Sequence, residues 1–168
     1  SGAHITDSGS ITFNDLDLTD TSRVTRSFVS AVDSTGADLS SALDAALQNN
    51  ADLPFSLSGD GVSAPAHSGT IDWEFSIDNA LTQYLAANQS IAVTYRITVT
   101  DDSNITAGDE INVESEDVVI TINGANDNPV ISVSSLDNSD TDTLTETNAA
   151  LTTSGTLTAT DIDLANST

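Results

Sequence analysis

The sequence contains no cysteine, no methionine and no lysine, and aromatic residues make up only 4% of it. Without cysteine, the chain can form neither a disulfide scaffold nor a zinc site built on thiolates. The scarcity of aromatic side chains predicts a core of small and β-branched residues. No apolar run approaches the roughly 18 residues of a membrane-spanning helix, and the first residues lack the charged and apolar regions of a signal peptide. We therefore expect no direct membrane insertion.

Positive charge is also scarce. Only three arginines, at positions 23, 26 and 96, oppose 26 acidic residues, which gives a formal net charge of -23. A polyanion of this density repels DNA, RNA and anionic lipid. We therefore expect no nucleic-acid partner, and cations are the natural ligands.

An internal repeat is the first positive feature of the chain. Residues 8–18 align with residues 154–164, with six of eleven positions identical and three more exchanged between Ser and Thr or between Ile and Leu. Ser8 thus corresponds to Ser154, an offset of 146 positions. Because the chain has 168 residues, it fits one full domain plus part of a second. The sequence predicts a piece of a tandem array.

Alternation of apolar and polar residues predicts at least five strands. The clearest lies at residues 70–77, where Ile71, Trp73, Phe75 and Ile77 share one face. Further strands are predicted near Ile11, at 23–32, at 90–100 and at 111–123. In the strand at 23–32, Val24, Phe28 and their neighbours can all face a core only if a bulge corrects its phase. The single tryptophan is expected in the core.

A helical period replaces the alternation at residues 38–48. Leu39, Leu43 and Leu47 recur at four-residue spacing, which predicts an amphipathic helix capped by Asp38 or Ser40. Residues 51–68 are expected to form a loop, and residues 81–85 one or two helical turns. Many strands with little helix favour an all-β, antiparallel β-sandwich with Greek-key connections and one short inserted helix near 38–48.

An oxygen-rich joint lies between the two repeat units. Its residues are Gly124, Ala125, Asn126, Asp127, Asn128 and Pro129. Asn and Asp side chains with backbone carbonyls form a hard, oxygen-only ligand set that suits calcium. Pro129 fixes its own φ and favours an extended Asn128, which holds the acidic turn open. Calcium is therefore the expected ligand of this joint.

Five segments carry a family resemblance: the joint at 126–129, the Asp161-x-Asp163 pair after a threonine-rich strand, the Thr145-Glu146 piece, residues 73–79 and residues 98–101. Together they resemble the VCBS and cadherin-like repeats of giant bacterial RTX-type surface adhesins. The resemblance implies a calcium-binding, immunoglobulin-like or cadherin-like sandwich. It also implies export by type I secretion to the extracellular cell surface, where many copies space an adhesive tip from its anchor.

The resemblance also implies a set of metal ligands. Asn126, Asp127 and Asn128 would share calcium with Asp161 and Asp163 of the following unit. Asp15 and Asp17 would serve the preceding joint. Further ligands implied by the resemblance are Asp78, Asp101 and Glu146.

The domain boundary follows from the repeat. Residues 1–128 are expected to form one repeat, and residues 129–168 the first part of the next. The first repeat lacks the counterpart of residues 130–153, and so it lacks its own first strand. An ordered partial repeat cannot bury its own face. We therefore expect residues 130–153 to supply an edge strand to their own sandwich or, by strand exchange, to another copy.

Three classes of function remain open at this point. The first is a calcium-stabilised extender, a structural spacer in cell adhesion and biofilm formation whose partners are neighbouring repeats. The alternative is a glycan- or peptide-binding module that uses Trp73, Tyr84 or the 51–68 loop. Catalysis is not expected, because the sequence shows no Ser/His/Asp set, phosphate-cradling glycine loop or His-rich metal cluster.

Overall fold

The structure is a computed structural model, and it describes residues 2–14, 21–49, 53–58, 63–64, 68–102, 113–133 and 141–163. The strands in these residues are β1 (His4–Asn14), β2 (Thr21–Asp33), β3 (Phe55–Leu57), β4 (Ser63–Ala64), β5 (Ser68–Asp78), β6 (Ser90–Asp102), β7 (Val113–Asn123), β8 (Val130–Val133) and β9 (Leu157–Thr160). One α-helix, α1 (Ser41–Gln48), and one 3-10 helix (Asn79–Leu81) accompany them. The chain is therefore mostly β, as predicted.

The strands form three antiparallel sheets. A three-stranded sheet has the order β1-β5-β3, and a four-stranded sheet has the order β4-β2-β6-β7. The strands β8 and β9 form a separate two-stranded sheet. Among the described residues, β8 thus pairs with β9 and with no strand of the two larger sheets, so an edge strand supplied by 130–153 stays a prediction.

The two larger sheets pack face to face around one core. Phe55 of β3 and Tyr95 of β6 stack across the interface, with ring centroids 4.7 Å apart and planes 5° from parallel. Ile71 and Phe75 join them from β5, and all four residues are almost completely buried. Alternation along the strands explains the packing, because every second residue of a strand faces the same side.

The predicted bulge in β2 is confirmed. The pairing of β2 with β6 shifts register between Phe28 and Ser30. Val24 is buried and Phe28 packs against the core. Both residues precede the bulge and share one face by simple alternation. The bulge changes the phase of the residues that follow, so that Ala31 also packs against the core while Val32 is exposed.

Helix α1 covers one end of the core. Leu43 and Leu47 are fully buried, while the side chain of Ser40 accepts a hydrogen bond from the Leu43 N–H at 3.3 Å. The predicted helix is thus confirmed with Ser40 as its cap, although it begins at Ser41 rather than at position 38. Leu39, which the sequence pattern assigned to the apolar face of the helix, lies before its first residue and packs against the core.

Three expectations about local structure were wrong. The expected loop at 51–68 contains β3 and β4, which are too short to show alternation by themselves; β3 exists because Phe55 pairs with Phe75 of β5. The helical turn expected at 81–85 occurs as the 3-10 helix Asn79–Leu81, which Asp78 caps. Finally, the described residues 141–156 form no strand, so Glu146 lies in an irregular, exposed segment rather than near an extended piece.

Candidate metal centre at the junction of the two repeat units

The base of the joint is fixed to the four-stranded sheet. β7 ends at Asn123, and the next N–H, that of Gly124, donates to the carbonyl oxygen of Gln89 at 2.9 Å. A Cβ at Gly124 would lie 2.4 Å from the carbonyl oxygen of Ala86 and 2.5 Å from that of Leu85. Because no side chain fits there, glycine lets the chain leave the sheet in close contact with the preceding turn.

The turn that receives Gly124 is itself closed by hydrogen bonds. The Gln89 N–H donates to the Ala86 carbonyl at 3.0 Å, and the Ala86 N–H donates to Gln89 Oε1 at 2.8 Å. Asn88 adopts a φ of 70°, a left-handed conformation that asparagine tolerates better than most residues. The joint therefore starts from a defined platform.

The other side of the joint is held by the segment that follows β9. The N–H of Asp127 donates to Asp163 Oδ2 at 2.9 Å, across 36 residues of sequence. Asp163 is completely buried, and Asp127 is half-buried. Pairing of Val130 with Thr160 explains the contact, because antiparallel pairing places residues that precede β8 beside residues that follow β9.

The two aspartates after β9 form a local turn. Asp161 Oδ1 accepts a hydrogen bond from the Asp163 N–H at 3.0 Å. A carboxylate that accepts the N–H two residues later is an Asx turn, which short acidic side chains form readily. The turn presents Asp163 toward the joint. Two hydrogen bonds thus link the three aspartates that the sequence predicts to converge. The Asp127 N–H binds the Asp163 carboxylate, and the Asp163 N–H binds the Asp161 carboxylate.

The donor set of this junction contains only oxygen and amide groups. Asn126 and Asn128 are exposed, and the side-chain amide of Asn126 donates to the Asp127 carbonyl at 2.7 Å. Among the described residues, no group of three or more His, Cys, Asp or Glu side chains is placed to hold a metal ion. A cation at this junction would therefore need asparagine or backbone carbonyl oxygens as ligands, which calcium accepts.

The structure shows other surroundings for two of the remaining predicted ligands. Asp78 caps the 3-10 helix, because its Oδ1 accepts from the Ala80 N–H at 2.9 Å. Asp101 pairs along the backbone with Ser22 at the far end of β6, whereas Asn123 pairs with Ser90 at the near end. Asp101 is eleven positions after Ser90, which corresponds to about 37 Å of strand. Asp101 therefore lies at the end of the sandwich where β1 ends, and the predicted ligands Asp15 and Asp17 lie outside the described residues.

One buried carboxylate was missed by sequence reasoning. Asp33, at the end of β2, is 6% exposed and accepts hydrogen bonds from both the N–H and the hydroxyl of Thr35, at 2.7 and 2.6 Å. The sequence Asp33-Ser34-Thr35-Gly36 is a turn signature that could have revealed it. Burial, followed by the charge of Asp33, raises the pKa of the nearby Tyr84 hydroxyl. Asp33 thus orders a turn.

Two of the three arginines have defined partners within the sandwich. Arg96 of β6 donates to both carboxylate oxygens of Asp117 on β7, at 2.7 and 2.9 Å. This hydrogen bonding lowers the pKa of Asp117 and raises that of Arg96. Arg26 donates to the carbonyl of Phe55 and so links β2 to β3. These arginines bind within the protein and stabilise its strand pairing.

Trp73 occupies the position expected of a core residue. It is half-buried, stacks on Phe55 with centroids 5.6 Å apart, and lies over Gly9, where a Cβ would come within 2.7 Å of the ring. Trp73 also lines a shallow depression of about 530 Å³, together with Asp72 and Glu74.

No family model, curated protein or solved structure matches the chain. Within the residues that the structure describes, neither helix has the length and apolar character needed to cross a membrane.

Proposed function

We propose that the chain is a calcium-stabilised extender repeat of a large secreted bacterial surface adhesin. In this role, it is a structural spacer in cell adhesion and biofilm formation, and its partners are neighbouring repeats. Its two packed sheets would form an immunoglobulin-like or cadherin-like Greek-key sandwich. The observation that carries the proposal is the hydrogen bond from Asp127 to Asp163, which joins the end of one repeat unit to the start of the next.

Electrostatics supports a cation at this junction. The chain carries a net charge of -23, and two carboxylates about 4 Å apart repel by roughly 4 kcal/mol at an effective dielectric constant of 20. A divalent cation between Asp127 and the Asp161–Asp163 turn would replace this repulsion with attraction. The angle between consecutive repeats would then be fixed, because both sides of the joint would bind the same ion.

The expected affinity sets the size of the effect. Extracellular modules bind calcium with dissociation constants of about 10⁻⁴ to 10⁻³ M. At about 1 mM calcium and a constant near 10⁻⁴ M, each site stabilises the folded state by roughly 1.4 kcal/mol. Export from a calcium-poor cytosol would leave the repeats flexible, and calcium outside the cell would stiffen them.

The test is a calorimetric calcium titration, combined with small-angle scattering of the chain in calcium and in chelator. We expect heat of binding and a longer, stiffer particle in calcium, and we expect both to be lost in the double variant Asp127→Ala/Asp161→Ala. The matched control, Asp7→Ala/Asp44→Ala, removes the same charge at exposed positions away from the joint. Binding that persists in the junction variant, an equal loss in the control, or no binding at all would refute the proposal.

The second candidate is a glycan-binding module that uses Trp73. The depression beside Trp73 favours it. Because this is the only tryptophan, quenching of its fluorescence by a sugar panel would report binding directly. Quenching that is unaffected by Asp72→Ala/Glu74→Ala would exclude the depression as the site.

A further inference from the structure

Strand β1 pairs on only one of its two edges. Within the described residues, it lies at the edge of the sheet β1-β5-β3, so one row of its backbone N–H and C=O groups faces away from the sheet. Its repeat counterpart, β9, pairs instead with β8. The same sequence element thus uses β5 as its partner in one copy and a β8 segment in the other.

The register of β8 can be transferred to β1. In the β8–β9 pair, Val133 lies opposite Leu157, Ser132 opposite Thr158, and Ile131 opposite Ala159. The offset of 146 positions converts these partners to Ile11, Thr12 and Phe13. A β8 segment docked on β1 in this register would run antiparallel to it.

The edge of β1 borders an open groove of about 480 Å³ that lies between β1 and the start of β7. Its apolar lining residues are Ile11, Phe13, Ile71, Ile97 and Val99, and Glu114, Ser115 and Glu116 of β7 belong to its polar lining. Residues opposite each other in an antiparallel pair point to the same face. The register therefore directs Val133 and Ile131 into the groove, beside Ile11 and Phe13. Ser132 would face outward with Thr12.

The donor segment is available for exchange. Ile131 is 68% exposed and Val133 is 41% exposed, although both are apolar. An isolated two-stranded sheet is at best marginally stable in water. Replacing β9 by β1 would keep the backbone pairing of β8 while removing two apolar side chains from water.

The chain's own β8 cannot reach this groove. Thr12 and Ser115 both line it, so these two residues lie at about the same level along their strands. The docked Val130, opposite Asn14, would therefore lie near the level of Val113. Val113 is ten residues of β7 away from Asn123, or about 34 Å. Six residues lie between Asn123 and Val130, and the seven Cα-to-Cα steps that connect the two span at most about 25 Å. We propose that the β1 edge accepts residues 130–133 of a second copy of this chain, which would give a head-to-tail assembly through strand exchange.

Cysteine trapping tests the register, because the chain has no cysteine of its own. The variants Thr12→Cys and Ser132→Cys, made on separate chains of different size, are mixed and oxidised in chelator at high salt. Salt screens the repulsion between two acidic copies, and chelator makes the result independent of calcium and of the proposed function. Directly opposed residues in a strand pair are close enough for a disulfide. We expect the mixed dimer to form several-fold faster than it does from Thr6→Cys with Ser132→Cys.

Thr6 is the matched control, because it is exposed on the same face of β1 but lies six residues from the predicted partner. A second comparison uses Ile131→Asp and Val130→Asp in the Ser132→Cys chain. Only Ile131→Asp should abolish the preference for position 12, since Val130 faces outward in the docked register. Equal trapping at positions 6 and 12, or an Ile131→Asp variant that traps as well as its parent, would overturn the proposal.

Discussion

The N–H of Asp127 and the buried carboxylate of Asp163 form a 2.9 Å hydrogen bond between two segments that are 36 residues apart. This contact sets the position of the start of β8 relative to the end of β9. It also brings together the two groups of predicted calcium ligands before any ion is considered. The junction therefore has a protein-only structure that can be measured separately from its metal binding.

Replacing Asp163 should loosen the joint. A hydrogen bond to a charged group contributes about 1.5–3 kcal/mol, which corresponds to roughly a tenfold to hundredfold change in local opening. We expect Asp163→Ala to lower the hydrogen-exchange protection of the Asp127 amide by this factor in chelator. Asp163→Asn, which retains an acceptor oxygen, should lose less. Unchanged protection in Asp163→Ala would show that this bond does not hold the joint.

A side chain at Gly124 should destabilise the sandwich. An alanine Cβ would lie 2.4 Å from the Ala86 carbonyl oxygen, so the turn at 85–90 must move, at a cost of about 1–3 kcal/mol. Urea unfolding of Gly124→Ala, followed by Trp73 fluorescence, should show this loss. Ala125→Ser changes an exposed neighbour and should stay within about 0.5 kcal/mol of the parent. Equal stability of the two variants would contradict the crowding at Gly124.

The two tyrosines should respond differently to loss of their hydroxyls. Tyr95 donates to the Leu47 carbonyl at 3.1 Å in the core, so Tyr95→Phe leaves a buried acceptor without its donor and should cost about 1–3 kcal/mol. The buried Tyr84 hydroxyl has no hydrogen-bond partner among the described residues. Tyr84→Phe should therefore be neutral or slightly stabilising in the same urea experiment. A larger loss for Tyr84→Phe than for Tyr95→Phe would refute this assignment.

The pairing of Arg96 with Asp117 should appear in acid titration. Hydrogen bonding to Arg96 lowers the pKa of Asp117 from its ordinary 3.8. A carboxylate with a lowered folded-state pKa favours folding above its ordinary pKa, and this contribution is lost as pH falls through the folded value. An NMR titration of the Asp117 carboxyl carbon should give a value below 3.8, and Arg96→Gln should raise it.

The matched control for this titration is Arg23→Gln. Arg23 is an exposed arginine on β2, so its removal changes the net charge equally without touching Asp117. If both substitutions raise the pKa of Asp117 by the same amount, general charge rather than the specific hydrogen bonds would account for the shift.

Much of the strand pattern could be predicted because alternation is a local property. Ile71, Phe75 and Ile77 alternate with polar residues, and all three are buried. The bulge after Phe28 could also be predicted, since strict alternation cannot bring both Phe28 and Ala31 to the core, and both pack against it. Strand β3 could not be predicted, because three residues carry no period and Phe55 becomes a strand residue only through its pairing with Phe75.

The candidate site was only partly predictable for the same reason. The repeat and the Asn-Asp-Asn-Pro joint are visible in the sequence, and they correctly indicated that Asp127 and the Asp161–Asp163 turn lie together. Asp101 shares their residue type but lies at the opposite end of β6, while Asp78 caps a 3-10 helix. Acidic residues at strand ends look alike in sequence, whichever end of the sandwich they occupy.

The sequence by itself determined the β-rich class, the repeat offset and the oxygen-rich chemistry of the joint, since each depends on residues that are near neighbours or copies of one another. The tertiary structure decided which of the predicted ligands contact each other, which strand edge stays open among the described residues and which tyrosine hydroxyl has a hydrogen-bond partner. These depend on register and on the packing of two sheets, where residues tens of positions apart come within a few ångströms.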